Sequence, residues 1–230
     1  MRIRIRFAKR GRVRWTSHRD VARMWERALR RARLPLAYTE GFSPRPKLSF
    51  GLALPTGCES EAEYLDVALS DTVDPADLTD TFSSLLPDGV DVLAAQALPA
   101  GAGSLQEDVT SCRWEIDVPQ MGPDALAEVI GRVLHAETLP VTRERKGRPV
   151  TDDMRPSVLA LSSRPSGTGA ELVAELGTRP RGVRPAELAQ VMGIELGLAR
   201  RTNQWIERDG SRGEPLATPA AHAAVMERAS

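Results

Sequence analysis

The order of the predicted secondary-structure elements constrains the fold of this 230-residue chain more than any other feature. Strand, helix, strands, helix and strand follow one another in each half. That order is typical of α+β folds with helices on one face of a mainly antiparallel sheet. We therefore predict an α+β fold of two ferredoxin-like halves, residues 1–98 and 111–207. The small residues of 99–110 predict a linker, and the small and polar residues of 208–230 predict a flexible tail.

The individual elements are predicted from apolar periodicity, turns and helix-capping residues. In the first half they are a strand at 2–7, an extended segment at 13–15, a helix from Ser17 to about Arg33, extended segments at 36–38, 47–54 and 63–69, a helix at 74–86 and a strand at 90–98. In the second half they are strands at 111–118, 139–145, 158–161 and 171–176 and helices at 123–136 and 185–192, while 194–206 fits neither period.

Positive charge is concentrated at the start of the chain, although the whole sequence is neutral. Residues 1–50 hold fifteen Lys and Arg against three Asp and Glu, and residues 51–230 hold sixteen against twenty-eight. In the strand at 2–7, Arg2, Arg4 and Arg6 are expected on one face and the apolar residues on the other. A basic surface of this kind favours a polyanionic partner, and RNA is the predicted one.

The predicted first helix has an apolar stripe and an arginine-rich face. Apolar residues spaced at i, i+3 and i+4, with Trp25 at the centre, are expected to pack in the core. Ser17 is expected to cap the helix. Four arginines at or near i+4 spacing are expected to bind RNA along one exposed side: Arg19, Arg23, Arg27 and Arg30.

A loop with two prolines and one glycine, at residues 41–47, is expected to be stiff and to present side chains to a ligand. Phe42 would stack on a base, while Arg45 and Lys47 would hold phosphates. In the alternative interpretation, Phe42 tucks into the core and the prolines only shape a turn.

Two further groups of polar residues are candidates for chemistry. Ser17, His18 and Arg19 begin the basic helix and predict an anion site, with His18 as a candidate general acid or base. Glutamates in residues 59–63 fit a solvated turn or a partner for the basic helix better than a metal or acid–base site. Only Cys58 and Cys112 are present, without metal-ligand spacing, so neither a metal nor a cofactor is predicted. Without a signal sequence or membrane span, the chain is expected to be cytoplasmic.

Several segments resemble the family of radical-SAM-linked proteins. They are Arg14-Trp15-Thr16-Ser17-His18-Arg19-Asp20, Pro35-Leu36-Ala37-Tyr38, Gly41-Phe42-Ser43-Pro44-Arg45-Pro46 and Glu59 to Asp66. The resemblance implies a partner, a B12-binding radical SAM protein, and in some relatives an RNase E/G-type ribonuclease nearby. Many members have an aliphatic residue in place of Arg19. The resemblance implies no reaction.

These observations lead to three hypotheses. The first is an RNA-binding or substrate-presenting accessory protein, not itself an enzyme, that acts with a radical SAM enzyme or a ribonuclease in RNA modification or processing. The second is a small metal-independent enzyme that acts on RNA through His18. The third is an adaptor whose basic surface binds an acidic protein.

Overall fold

The computed structural model describes residues 1–145, 147–167 and 169–216. They form two compact units: one contains residues 1–108 and 207–216, and the other contains residues 109–206. Each unit combines a mainly antiparallel sheet with a few helices, as the α+β prediction requires. No helix among these residues has both the length and the apolar character needed to cross a membrane.

The first unit is built on a four-stranded antiparallel sheet in the order β4-β1-β3-β2. Its elements are β1 (Arg2–Lys9), a 3₁₀ turn (Gly11–Trp15), α1 (His18–Arg31), β2 (Leu48–Phe50), β3 (Glu59–Ala68), a 3₁₀ turn (Pro75–Asp77), α2 (Leu78–Ser83), β4 (Val90–Ala97) and α3 (Leu105–Asp108).

The second unit's sheet has the order β10-β5-β9-β8. Its elements are β5 (Ser111–Val118), α4 (Pro123–His135), β6 (Pro140–Arg145), β7 (Arg148–Asp153), a 3₁₀ turn (Arg155–Ser157), β8 (Val158–Ser166), β9 (Gly169–Gly177), α5 (Pro185–Met192) and β10 (Ala199–Arg208), with β6 and β7 forming a separate hairpin.

The core of the first unit lies between α1, α2 and one face of β1. Trp25 is fully buried at its centre, as the apolar stripe predicts. Its ring meets Phe7 and Phe82 edge to face, with centroids 5.0 and 5.3 Å away. Because this stripe must face the sheet, the remaining side of α1 is turned to solvent.

The face of β1 turned away from this core carries its arginines. It is not the exposed basic surface predicted from the alternation of arginine and apolar residues. Arg4 and Arg6 are both buried. Arg4 lies directly across the ladder from Asp66 on β3, and its guanidinium donates to both carboxylate oxygens, at 2.7 and 2.9 Å. Arg6 donates to Glu214 at 2.7 Å and lies over the ring of Tyr64. Carboxylates within the first unit therefore neutralise these two arginines.

Several boundaries differ from the predictions. Residues 13–15 lie in a 3₁₀ turn and not in a strand, because Gly11 takes a positive φ of 61° and the chain folds back so that Thr16 N–H bonds to Val13 O. The predicted helix at 74–86 divides into a 3₁₀ turn and the short α2. The β6–β7 hairpin separates α4 from β8, and its second strand is absent from the predictions because its residues are mostly polar.

The predicted linker and tail both contain packed residues. Leu105, at the start of α3, is buried. Residues 208–216 include β11 (Ser211–Gly213), the ion-paired Glu214 and the buried Leu216. The rest of the predicted tail, 217–230, lies outside the described residues.

Candidate functional site

A basic groove of about 530 Å³ runs between α1 and the loop that precedes β2. We call it the arginine groove. The helix contributes Arg19, Ala22, Arg23, Glu26 and Arg30, and the loop contributes Ser43, Pro44 and Arg45. All four of these arginines are exposed. The groove therefore brings together two features that lie far apart in the sequence, the basic helix and the stiff loop.

The helix side of the groove is positioned by its cap and its core stripe. Ser17 Oγ accepts the N–H of Asp20 at 3.2 Å and donates to its carboxylate at 2.7 Å, which confirms Ser17 as the N-cap. The hydrogen bond from Ser17, and then the charges of Arg23 and Arg19, hold the pKa of Asp20 below its ordinary value. Asp20 is therefore ionised at neutral pH and suits the positive end of the helix dipole.

The loop side is positioned by two hydrogen bonds between Thr39 and Arg45. Thr39 N–H donates to Arg45 O at 2.9 Å, and Arg45 N–H donates back to Thr39 Oγ1 at 3.1 Å. Lys47 N–H then donates to Ala37 O at 2.9 Å, and Pro46, between Arg45 and Lys47, is buried. These contacts fix the backbone on both sides of the Arg45 side chain.

The groove keeps a net positive charge. Arg23 pairs with Asp20 at 3.3 Å, and Arg30 approaches Glu26 at 3.9 Å, both in exposed geometry that contributes little stability. Arg19 and Arg45 make no ion pair with any residue described in the structure. The arginines near the end of β1 differ, since Arg10 pairs with Glu61 and Arg14 with Glu59.

The remaining predicted RNA contacts lie outside the groove lining. Each i+4 step on a helix turns about 40°, so Arg27 lies about 80° around α1 from Arg19, and it does not line the groove. Lys47 is exposed but does not line the groove. Phe42 is fully exposed, which excludes the interpretation that it is a core residue.

His18 does not line the arginine groove. Its ring packs edge to face on Phe50, with centroids 5.3 Å apart. It lines a separate cavity of about 10 Å³ beside Lys9 and Glu63, and this volume is about that of one water probe. Such a cavity does not admit a nucleotide.

The acidic segment at 59–63 is a strand and not a solvated turn. Glu59 accepts the N–H of Gly11 at 2.7 Å, and Glu61 pairs with Arg10. These carboxylates therefore hold the connection from β1 to α1, and the ion pairs that the structure describes for them involve Arg10 and Arg14 and not, as predicted, the arginines of the basic helix. Within residues 1–145, 147–167 and 169–216, no cluster of His, Cys, Asp and Glu is arranged to hold a metal ion.

The sequence interpretation did not single out Trp15, which is 64% exposed on the 3₁₀ turn. One sequence feature indicates a ligand contact here: Trp15 is an aromatic residue that follows Arg12 and Arg14 and lies two residues before the helix cap Ser17. The predicted extended segment at 13–15 gave no indication of this exposure.

Comparison with known proteins gives structural likenesses and a family. The crystal structure of a Cbf5-Nop10-Gar1 complex has a chain similar to this one, with a TM-score of 0.46 and 10% identity over 88% of this chain and 48% of that chain. No curated protein matches the sequence. The model of one bacterial family matches residues 2–185, so the chain belongs to the family described as "Uncharacterized protein conserved in bacteria (DUF2344)".

Proposed function

We propose that this protein binds RNA through the arginine groove and presents it to a partner enzyme that carries out RNA modification or processing. The observation that supports this most is the convergence of Arg19, Arg23, Arg30 and Arg45 on one groove. Two of the four, Arg19 and Arg45, make no ion pair with any of the residues described. An anionic ligand would supply the missing partners.

Phosphate is the anion that fits these side chains best. A guanidinium presents a planar fork of donors that binds two phosphate oxygens at once. Arg19 and Arg30 are eleven residues apart on α1, so their backbones are separated by about 16 Å along the helix axis. Several successive phosphates of one strand fit into that length. A single small anion would engage only part of the groove.

Binding without catalysis agrees with the composition of the groove. Its lining holds arginines, one glutamate and small residues. The one histidine predicted as a catalyst, His18, lies at the other, much smaller cavity. The resemblance to radical-SAM-linked proteins supports a radical SAM enzyme, or an RNase E/G-type ribonuclease, as the partner that performs the reaction.

We also propose that each unit is ferredoxin-like. The first unit has the sheet order β4-β1-β3-β2, and the second has β10-β5-β9-β8. The four sheet strands of each unit can be numbered in the order in which they occur along the chain, with the β6–β7 hairpin treated as an insertion. In both units the fourth strand then lies beside the first, the first beside the third and the third beside the second. The shared order supports the same βαββαβ arrangement in both units.

The test compares two double charge reversals on the same helix. Arg19→Glu with Arg23→Glu alters the groove. Arg27→Glu with Arg31→Glu is the matched control, since it makes the same charge change at the same spacing outside the groove lining. Binding to a single-stranded RNA is measured over a range of salt concentrations. Melting temperatures show whether both variants are folded.

We expect the groove variant to bind on the order of tenfold or more weakly at about 0.1 M salt, and its salt dependence to fall by roughly 0.7 per lost phosphate contact. The control variant should lose less affinity. Equal losses of affinity in the two variants would mean that RNA binding depends only on the overall charge of the helix. That result would contradict binding in the arginine groove. If the wild type binds no RNA but retains an acidic protein, the adaptor hypothesis replaces this one. RNA cleavage or modification by the isolated protein would favour the enzyme hypothesis.

A further inference from the structure

We infer that Trp15 is a stacking surface for one base of a single RNA strand whose phosphates lie in the arginine groove. This inference rests on the proposed function. Trp15 stands at the end of the 3₁₀ turn, with 64% of the residue exposed, and no residue of that turn is buried. The core does not use this ring, since the buried aromatic cluster of the unit is formed by Phe7, Trp25 and Phe82.

A buried lysine holds the backbone on both sides of Trp15. Lys9 is 2% exposed, and its Nζ donates to the carbonyl oxygens of Arg14 at 3.3 Å and Thr16 at 2.9 Å. Thr16 is also tied back to Val13, whose carbonyl accepts both its N–H and its hydroxyl. The indole therefore projects from a fixed backbone, and stacking on it orders less chain than stacking on a free loop.

A glycine supports the ring from beneath. Gly57 N–H donates to Arg14 O at 2.8 Å, and a Cβ at Gly57 would lie 3.0 Å from Trp15 Cζ3. Gly57 also has a φ of +90°, which disfavours other residues. The Arg14 guanidinium lies over the ring, 5.3 Å from its centroid, and pairs with Glu59 at 3.5 Å. The six-membered ring thus rests on backbone while most of Trp15 remains open.

The charges around Trp15 favour a nucleic-acid base over an apolar protein segment. Arg12 is exposed and makes no ion pair with any residue in the described ranges. Arg19 of the groove is four residues away, so its Cα lies within about 14 Å of that of Trp15. One RNA strand can therefore place a base on Trp15 and phosphates on Arg12 and Arg19. Stacking on an aromatic ring tolerates any base because every base has a π face.

The experiment uses the whole chain and two oligomers of equal length and charge: oligouridylate and the same backbone with abasic positions. Trp15→Ala removes the ring, and Trp15→Phe keeps an aromatic surface. Leu159→Ala is the matched control, since Leu159 is also exposed but lies in the second unit. Melting temperatures are measured for all variants and should stay near that of the wild type.

We expect Trp15→Ala to weaken oligouridylate binding about 5- to 100-fold and to leave abasic binding unchanged. Trp15→Phe should retain most of the affinity, and Leu159→Ala all of it. Trp15→Ala binding equal to wild type, or an equal loss on both oligomers, would overturn the stacking role while leaving the groove intact. Failure of the wild type to bind either oligomer would overturn the proposed function, and the stacking role with it.

Discussion

Arg4 on β1 and Asp66 on β3 form a buried, two-point ion pair across the ladder, with nitrogen–oxygen distances of 2.7 and 2.9 Å. Asp66→Asn removes the charge that compensates the buried guanidinium. We expect it to lower the free energy of unfolding by about 3–5 kcal/mol, measured by urea denaturation. Replacing both residues with apolar ones, Arg4→Met with Asp66→Leu, should recover most of that loss. If the double variant is as unstable as Asp66→Asn, the cost does not come from an unpaired charge.

Trp25 packs between Phe7 and Phe82 at the centre of the first unit. Trp25→Ala should lower the free energy of unfolding by about 3–5 kcal/mol, because it leaves a cavity that the neighbouring rings cannot fill. Trp25→Phe should cost less, since it keeps an aromatic ring in contact with both partners. A stable Trp25→Ala protein that had lost only RNA binding would contradict the core assignment.

Phe42 presents its whole side chain to solvent at the tip of the stiff loop. Phe42→Ala should therefore change the free energy of unfolding by no more than about 0.5 kcal/mol. If Phe42 stacks on a base, as its exposure allows, the same variant should lose about 1–3 kcal/mol of affinity for single-stranded RNA. Thermal melting and RNA titration on this one protein separate the two effects. Full retention of affinity would rule out a contact between Phe42 and RNA.

Ser17 and Asp20 are linked by two hydrogen bonds at the start of α1. Ser17→Ala removes the bond that most lowers the pKa of Asp20, so this pKa should rise, as measured by NMR titration. A carboxyl whose folded pKa is lowered stabilises the fold above its unfolded pKa of about 3.9, and that contribution is lost as the pH falls through the folded value. Ser17→Ala should therefore reduce the acid sensitivity of stability below about pH 4. An unchanged Asp20 pKa would show that Arg23 and Arg19 control it.

Local patterns were sufficient to predict most of the regular elements, although not β7 or β10. β5 and α5 match the predicted ranges, because a strand with alternating burial and a helix that starts at proline are specified by neighbouring residues. The cap at Ser17 and the burial of Trp25 follow from spacing alone for the same reason. Residues 13–15 were predicted incorrectly, because contacts with Gly57 and Lys9 hold that turn and both residues lie outside it.

Tertiary structure decided which of the charged residues near the start of the chain are buried and ion-paired. Alternation places Arg4 and Arg6 on a common face of a strand, but their burial depends on Asp66 and Glu214, which are 62 and 208 residues further along the chain. Composition alone cannot show which arginines find such partners. The sequence by itself therefore determined most of the strands and helices and the excess of positive charge near the start. Only tertiary structure decided which of those charges are neutralised inside the first unit and which, like Arg19 and Arg45, stay exposed without an ion pair to any described residue, because ion pairing depends on distances that folding creates.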